Sequence, residues 1–144
     1  MVNNTPAGNA SDLAWLLSGL VERVPRTRSA VLLSSDGLTT AVHGMETDGA
    51  DHMAAVASGL FSIARSAGVK FGGSAGVRQV VVELDDTLLF VTSAGLGSVL
   101  AVLADREADA GVLGYEMSQL VKSVHSFLAT PARHPSVTSG DPAR

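Results

Sequence analysis

Residues 53–64 contain no charged side chain, although polar segments flank them on both sides. Read at 3.6 residues per turn, this segment is a helix whose large apolar side chains form one stripe that widens toward a predicted sheet. A helix that lacks a charged face is normally covered on both sides. The segment therefore constrains both the fold and the assembly of the chain. The stripe comprises Met53, Val56, Leu60, Ile63 and Ala67, with Phe61 and Ala64 beside it.

The other side of this helix carries small residues instead of charges. Ala55, Ser58, Gly59, Ser62 and Ser66 follow the same helical spacing, which lets a second backbone approach closely. A chain of this length has little left to supply a second cover. We therefore expect these residues to form a dimer contact. Burial of the whole helix inside one subunit is the alternative.

Composition limits the kinds of chemistry that are open to the chain. At 144 residues and 14.7 kDa it is expected to form one domain. It has no cysteine, which excludes disulfides, thiolate zinc sites and cysteine nucleophiles. Its net charge of −4 and few aromatic residues argue against a nucleic-acid surface. We expect a protein partner.

The chain shows no targeting signal in its sequence. The first residues lack a basic region followed by an apolar run, and no later apolar stretch reaches membrane-spanning length. We expect a cytoplasmic protein, and peripheral recruitment to the membrane through its partners is left open.

The first predicted element is an amphipathic helix. Residues 1–10 are expected to be disordered, and the helix is expected to begin at Ser11 or Asp12 and to stop at Pro25. Trp15 lies off its apolar stripe, and we interpret it as a rim residue over the sheet, with an exposed contact as the alternative. The stripe comprises Leu13, Leu16, Leu17, Leu20, Val21 and Val24.

A β-hairpin is predicted next. Residues 29–35 and 38–44 have strand composition, and Asp36-Gly37 between them is a strong two-residue turn signal. His43 is expected near the sheet edge as a surface residue.

The start of the central helix carries three polar residues that could act together. Asp48 is predicted to cap the helix, with Asp51 also favourable to the positive end of its dipole. His52 lies in the same turn and is expected to be solvent-exposed. A metal site of these three residues is a minor alternative.

The remaining chain predicts three strands and a final helix. The central helix ends near residue 68 or 69, a glycine-rich loop follows, and strands are expected at 77–84, 87–93 and 98–104. The order α-β-β-α-β-β-β-α predicts an α/β sandwich around one five-stranded, mostly antiparallel sheet, as one domain at 11–130 before a disordered tail at 131–144. The last helix directs Leu113, Met117, Leu120, Val121, Val124 and Leu128 inward.

One catalytic pattern occurs, and its context argues against catalysis. Residues 72–76 match the G-x-S-x-G pattern of a nucleophile elbow around Ser74. That elbow needs a strand before the serine and a helix after it, whereas a helix precedes and a strand follows here. Asp85 and His125, which have the right order for a triad, are placed on a turn and on an outer helix face. The sequence also lacks a P-loop, so no cofactor is expected.

Three segments, together with the small-residue central helix, carry a resemblance to a known family. Residues 32–41 (LLSSDGLTTA), 79–84 (QVVVEL) and 109–117 (DAGVLGYEM) are similar to the Roadblock/dynein light chain domain family. The resemblance spans about residues 12–128 and is greatest to the bacterial branch that is encoded beside a small Ras-like GTPase, including the conservon operons.

The resemblance implies a profilin-like fold and a homodimer. In such a dimer the central helices pair, and the strand after them, with Val80 and Val82, joins its copy in a ten-stranded sheet. It also implies a non-catalytic regulator that binds a Ras-like GTPase in the manner of a GTPase-activating protein, with a sensor-kinase-like protein of the same operon as a further partner. His52, Arg65 and Arg78 are the candidate GTPase contacts. A small-molecule sensor of the PAS or GAF kind is the alternative function.

Overall fold

The helices and strands follow one another in the predicted order, α-β-β-α-β-β-β-α. The computed structural model describes residues 4–95 and 97–129 of the chain. A single π-helical turn, Gly68–Gly72, continues the central helix where the glycine-rich loop was expected to start. The other elements are α1 (Asn4–Arg23), β1 (Thr27–Ser34), β2 (Thr39–His43), α2 (Thr47–Ala67), β3 (Val80–Glu83), β4 (Thr87–Gly95), β5 (Ser98–Asp105) and α3 (Ala110–Ala129).

The five strands form one sheet in the order β2-β1-β5-β4-β3. Every neighbouring pair is antiparallel, which confirms the predicted α/β fold with a single five-stranded sheet. β5 lies at the centre. β2 and β3 lie at the edges, so each has one side without a strand partner from the described chain.

Helices cover both faces of this sheet. α1 packs over β1 and β2, and α3 packs over β4, on one face, in a core that includes Ala30 and Leu32 of β1. Of the described helices, only α2 packs on the other face, against Val31 and Leu33. Successive residues of β1 thus point to opposite faces, as strand geometry requires. The sheet is the middle layer of a three-layer sandwich.

The first helix begins earlier than the sequence predicts. A start near Ser11 was expected, but the helix runs from Asn4. Pro6 lies in its first turn, where the missing amide hydrogen has no helical acceptor to lose. The helix ends before Pro25, as predicted.

The inward stripe of α1 is confirmed, but the interpretation of Trp15 is wrong. The Trp15 side chain is 74% exposed and does not close over the sheet. The exposed alternative is therefore the observed one. Of the predicted stripe, Leu13, Leu17, Leu20 and Val24 are buried, and Leu16 and Val21 pack against them.

The β1–β2 hairpin has a longer connection than the two-residue turn predicted at Asp36-Gly37. β1 ends at Ser34 and β2 begins at Thr39. The Gly37 amide donates to the Ser34 carbonyl over 2.9 Å, and the Ser34 amide donates to the Leu38 carbonyl over 2.9 Å. Gly37 has a φ of +91°, which glycine adopts without strain.

The capping residue of α2 was also predicted wrongly. The N-cap is Glu46, whose side chain makes no capping hydrogen bond, and its carbonyl accepts from the Ala50 amide over 2.9 Å. Asp48 lies inside the first turn, where its charge still interacts favourably with the helix dipole. β3, at Val80–Glu83, is shorter than the predicted strand at 77–84.

The last helix packs as predicted over its described part. Leu113, Met117, Leu120 and Val124 are buried in the same core as α1, and Val121 packs beside them. The side chain of Leu128 and the predicted tail at 131–144 lie outside the described residues.

Candidate protein-interaction surface

α2 turns a different face to the sheet than the sequence predicts. Its buried residues are Ala50, Ala54 and Ala57. Val56 and Ile63, which the apolar stripe placed toward the sheet, are 38% and 68% exposed. That part of the prediction is wrong.

The physical reason lies in the sheet. The strands supply the bulk on this side, so alanines on the helix let α2 lie close to them without leaving a void. Met53, Leu60 and Phe61 are half-buried at the margins of the contact. The sheet residues beneath α2 are Val31, Leu33, Leu89, Val91, Val99 and Ala101.

The solvent side of α2 is consequently both apolar and small. Gly59 lies at its middle, and a Cβ added there would meet no atom within 4 Å, so the fold of one subunit does not require glycine at this position. Scattered single apolar residues are ordinary on a surface, but a continuous uncharged helix face is not. We call this surface the outer face of α2, and it comprises the exposed residues Ala55, Val56, Gly59, Ser62, Ile63 and Ser66.

Ser58, predicted to belong to the dimer contact, lies to one side of the outer face. It is half-buried, and its hydroxyl donates to the Ser35 carbonyl over 3.1 Å. Ser58 therefore holds α2 against the β1–β2 connection.

The π-helical turn extends the exposed apolar surface beyond α2. Val69 is 64% exposed and Phe71 is 84% exposed. The sequence reasoning assigned both to the helix end and loop without a role. The signal that the sequence offered for an exposed apolar surface was the presence of two large apolar side chains next to a glycine-rich segment.

The edge strand β3 carries the other two predicted contact residues. Val80 and Val82 are half-buried and pack on the α2 side of the sheet, while Val81 points to the opposite side and is about half exposed. β3 pairs only with β4 in the described chain. Its free edge can accept another strand.

Unpaired positive charge gathers where α2 ends and β3 begins. Within the described residues, Arg65, Lys70 and Arg78 make no ion pair with a carboxylate. The other arginines among the described residues are paired: Arg23 with Glu116, Arg26 with Glu107, Arg28 with Asp105 and Arg106 with Glu83. This end of the molecule is thus open to an acidic partner.

The polar residues at the start of α2 do not form a metal site. In the ranges that the structure describes, no three His, Asp or Glu side chains gather in a way that could hold an ion. The Asp51 carboxylate instead accepts from the Thr39 hydroxyl over 2.9 Å. His52 is exposed beside it.

The G-x-S-x-G segment has the reversed context that the sequence predicts. It begins at Gly72, the last residue of the π-helical turn, and leads toward β3. The Ser74 hydroxyl accepts from the Gly76 amide over 3.3 Å. Asp85 lies on the turn before β4, and His125 is exposed on α3. A strand-to-helix elbow for a nucleophile is not formed here.

None of the helices in the described ranges is long and apolar enough to span a bilayer.

Sequence comparison now identifies the family. The model of the Roadblock/LC7 domain matches residues 13–104. The chain belongs to this family. A Roadblock/LC7 domain from Streptomyces avermitilis is 69% identical, with a TM-score of 0.79, over 81% of this chain and 98% of that one. The sequence has no significant match among curated proteins.

More distant structures share the fold of this Roadblock domain. The gliding protein MglB from Thermus thermophilus is 18% identical, with a TM-score of 0.71, over 83% of this chain and 90% of that one. An MglB structure with a tetrameric arrangement is 16% identical, with a TM-score of 0.75, over 83% of this chain and 89% of that one.

Proposed function

We propose that this Roadblock domain is a homodimeric, non-catalytic regulator that binds a small Ras-like GTPase and alters its nucleotide state or its location. The outer face of α2 is the observation that carries the proposal. An uncharged helix face is costly to leave in water and is the kind of surface that oligomers bury. A second copy of this chain supplies a cover of the same small and apolar character.

An antiparallel pairing of two α2 helices about Gly59 accounts for the residue pattern. In that register Ala55 lies opposite Ile63 of the other copy, so a large side chain meets a small one. The ends of the helices are complementary in charge, because Asp48 then lies opposite Lys70. A two-fold axis repeats each of these contacts.

The free edge of β3 supports the same arrangement. If two copies align their α2 helices, the β3 edges on the same side of each sheet can pair as antiparallel strands. The result is a continuous ten-stranded sheet in which the exposed edge is removed. Val80 and Val82 then lie at the join.

The proposed GTPase site uses the residues that remain exposed and unpaired. Members of the Roadblock family regulate small GTPases by binding them, and this domain presents Arg65 and Arg78 where α2 ends and β3 begins. His52, at the other end of α2, lies opposite Ser66 of the other copy in this register and so borders the dimer contact. Unpaired surface cations favour encounter with an acidic partner surface. In the cell, we place the complex in the cytoplasm, with a sensor-kinase-like protein as a further partner that can recruit it to a membrane.

Nucleotide measurements test this function. The purified domain should not bind GTP, because it has no P-loop, whereas a Ras-like GTPase recovered with it from native cells should hydrolyse or exchange nucleotide at a changed rate when the two are mixed. Arg78→Gln should weaken that complex severalfold. Lys122 on α3 is exposed and makes no ion pair within the described residues, and Lys122→Gln should leave the complex unchanged. A tight GTP complex of the domain alone, or a recovered GTPase whose rates do not change, would contradict the proposal.

A further inference from the structure

A cleft of about 390 Å³ opens at one end of the sheet, away from the outer face of α2. This volume lies within the range of about 300–1,000 Å³ that is typical of small-molecule sites. Four parts of the fold form its walls: the β1–β2 connection, the C-terminal half of α2, the segment before β3, and the β4–β5 hairpin. The lining residues are Ser35, Phe61, Arg65, Ala75, Gly76, Val77, Ser93, Gly95, Gly97, Ser98 and Val99.

Arg65 gives the cleft its charge. Of the described residues that line it, only Arg65 is ionised at neutral pH, and its guanidinium makes no ion pair or hydrogen bond within the described chain. A guanidinium presents a planar set of donors that matches a carboxylate or a phosphate. An unpaired arginine at the wall of a cleft therefore favours an anion.

Serine hydroxyls in the cleft add hydrogen-bond donors for an anion. The hydroxyls of Ser35 and Ser98 make no hydrogen bond within the described residues, and the Ser93 hydroxyl accepts from the Gly95 amide over 3.2 Å, which leaves its own proton free to donate. All three serines line the cleft with Arg65.

The other part of the lining is apolar. Phe61, Val77 and Val99 provide an aromatic ring and two branched side chains in the same cleft, and Phe61 is half-buried rather than closed off. Such a surface favours a ligand that has an apolar body as well as a charged group. Inorganic ions alone would leave this part of the cleft unfilled.

We infer that the cleft binds a small organic anion, with a carboxylate or phosphate group on Arg65 and the serine hydroxyls and with an apolar body against Phe61. The described lining residues all belong to one subunit, so the ligand needs neither the dimer nor a GTPase in order to bind, and a GTPase that contacts Arg65 would compete with it. Lys70 and Arg78 follow two of the lining segments in the chain and add positive charge at this end of α2.

Fragment titration tests this inference. Benzoate and phenyl phosphate carry the two anionic groups on the same ring, and benzamide is the uncharged match of benzoate. In ¹H–¹⁵N correlation spectra of the whole domain, benzoate or phenyl phosphate should shift the amide signals of Gly76, Gly95 and Gly97 in a saturable way. The fragment that binds with the higher affinity shows whether the cleft prefers a carboxylate or a phosphate.

Two variants distinguish binding in the cleft from nonspecific attraction to positive surface charge. Arg65→Gln should weaken binding of the anionic fragment about tenfold or more, because charge-assisted hydrogen bonds are lost. Lys70→Gln removes one charge nearby but outside the cleft and should leave binding within twofold. Equal binding of benzamide and benzoate, equal effects of the two variants, or no saturable shift with either anion would overturn the inference.

Discussion

Gly59→Glu should convert the proposed Roadblock dimer into a monomer that keeps its helices. At Gly59 the proposed two-fold axis brings two glutamates together in a poorly solvated contact, and an uncompensated buried charge costs about 3–5 kcal/mol. The dissociation constant should rise roughly 10²-fold or more. The substitution does not destabilise the helix, because glutamate is a better helix former than glycine by about 0.5–1 kcal/mol. Light scattering should give a mass near 14.7 kDa, with an unchanged far-ultraviolet spectrum.

Gly114→Glu is the matched control for this prediction. Gly114 also lies in a helix, α3, and a Cβ added there meets no atom within 4 Å. The same charge is thus introduced where no self-contact is proposed, and the protein should remain a dimer. If Gly59→Glu stays dimeric, or if both variants dissociate alike, the outer face of α2 is not the interface.

Gly44→Ala should cause the largest loss of stability among the glycine substitutions outside α2. Gly44 has a φ of +92°, and an added Cβ would lie 2.5 Å from the Arg28 carbonyl oxygen and 2.9 Å from the Ser29 Cα. These are backbone atoms at the start of the β1–β2 pairing and cannot rotate away. The unusual backbone conformation alone costs about 1–3 kcal/mol in a residue with a side chain, and the clash adds to it. Urea unfolding at one fixed protein concentration should show the loss.

Gly37→Ala separates the two causes. Its φ of +91° is nearly the same, but its added Cβ would meet Ser58 only at 3.6 Å, an ordinary contact. We expect a loss of about 1–2 kcal/mol, the cost of the left-handed conformation alone. Equal losses at the two positions would show that the clash with Arg28 and Ser29 is relieved at no cost.

The order of elements could be predicted from sequence because each carried a local signal. Strands such as 98–104 are almost continuously apolar, and the stripe from Leu13 to Val24 repeats at helical spacing beside the stop at Pro25. These signals come from neighbouring residues and do not depend on how the elements pack together. Turns and caps could not be predicted to the exact residue, as the wrong assignment of the α2 cap to Asp48 shows, because several neighbouring residues can take the same position.

The orientation of α2 could not be read in the same way. Two stripes along it satisfy helical spacing, one with Val56 and Ile63 and one with Ala54 and Ala57, and the larger residues were assigned to the core. Which stripe faces inward depends on how much bulk the sheet supplies, and the sequence does not tell how strands such as β1 and β4 align beneath the helix. The cleft beside Arg65 could not be predicted either, because its walls come from segments that are far apart in the sequence.

Disulfide trapping at Gly59 tests the proposed dimer most directly. The chain has no cysteine, so a single introduced cysteine can pair only with its copy. Helices packed about 8–10 Å apart, each with Cα atoms about 2.3 Å from its axis, leave roughly 3.5–5.5 Å between the two Cα atoms, which overlaps the disulfide range. Under mild oxidation, Gly59→Cys should run at twice the chain mass on a non-reducing gel, and Ser123→Cys, exposed on α3, should run at the single-chain mass. A Gly59→Cys protein that cross-links no faster than Ser123→Cys would contradict the pairing of α2 helices.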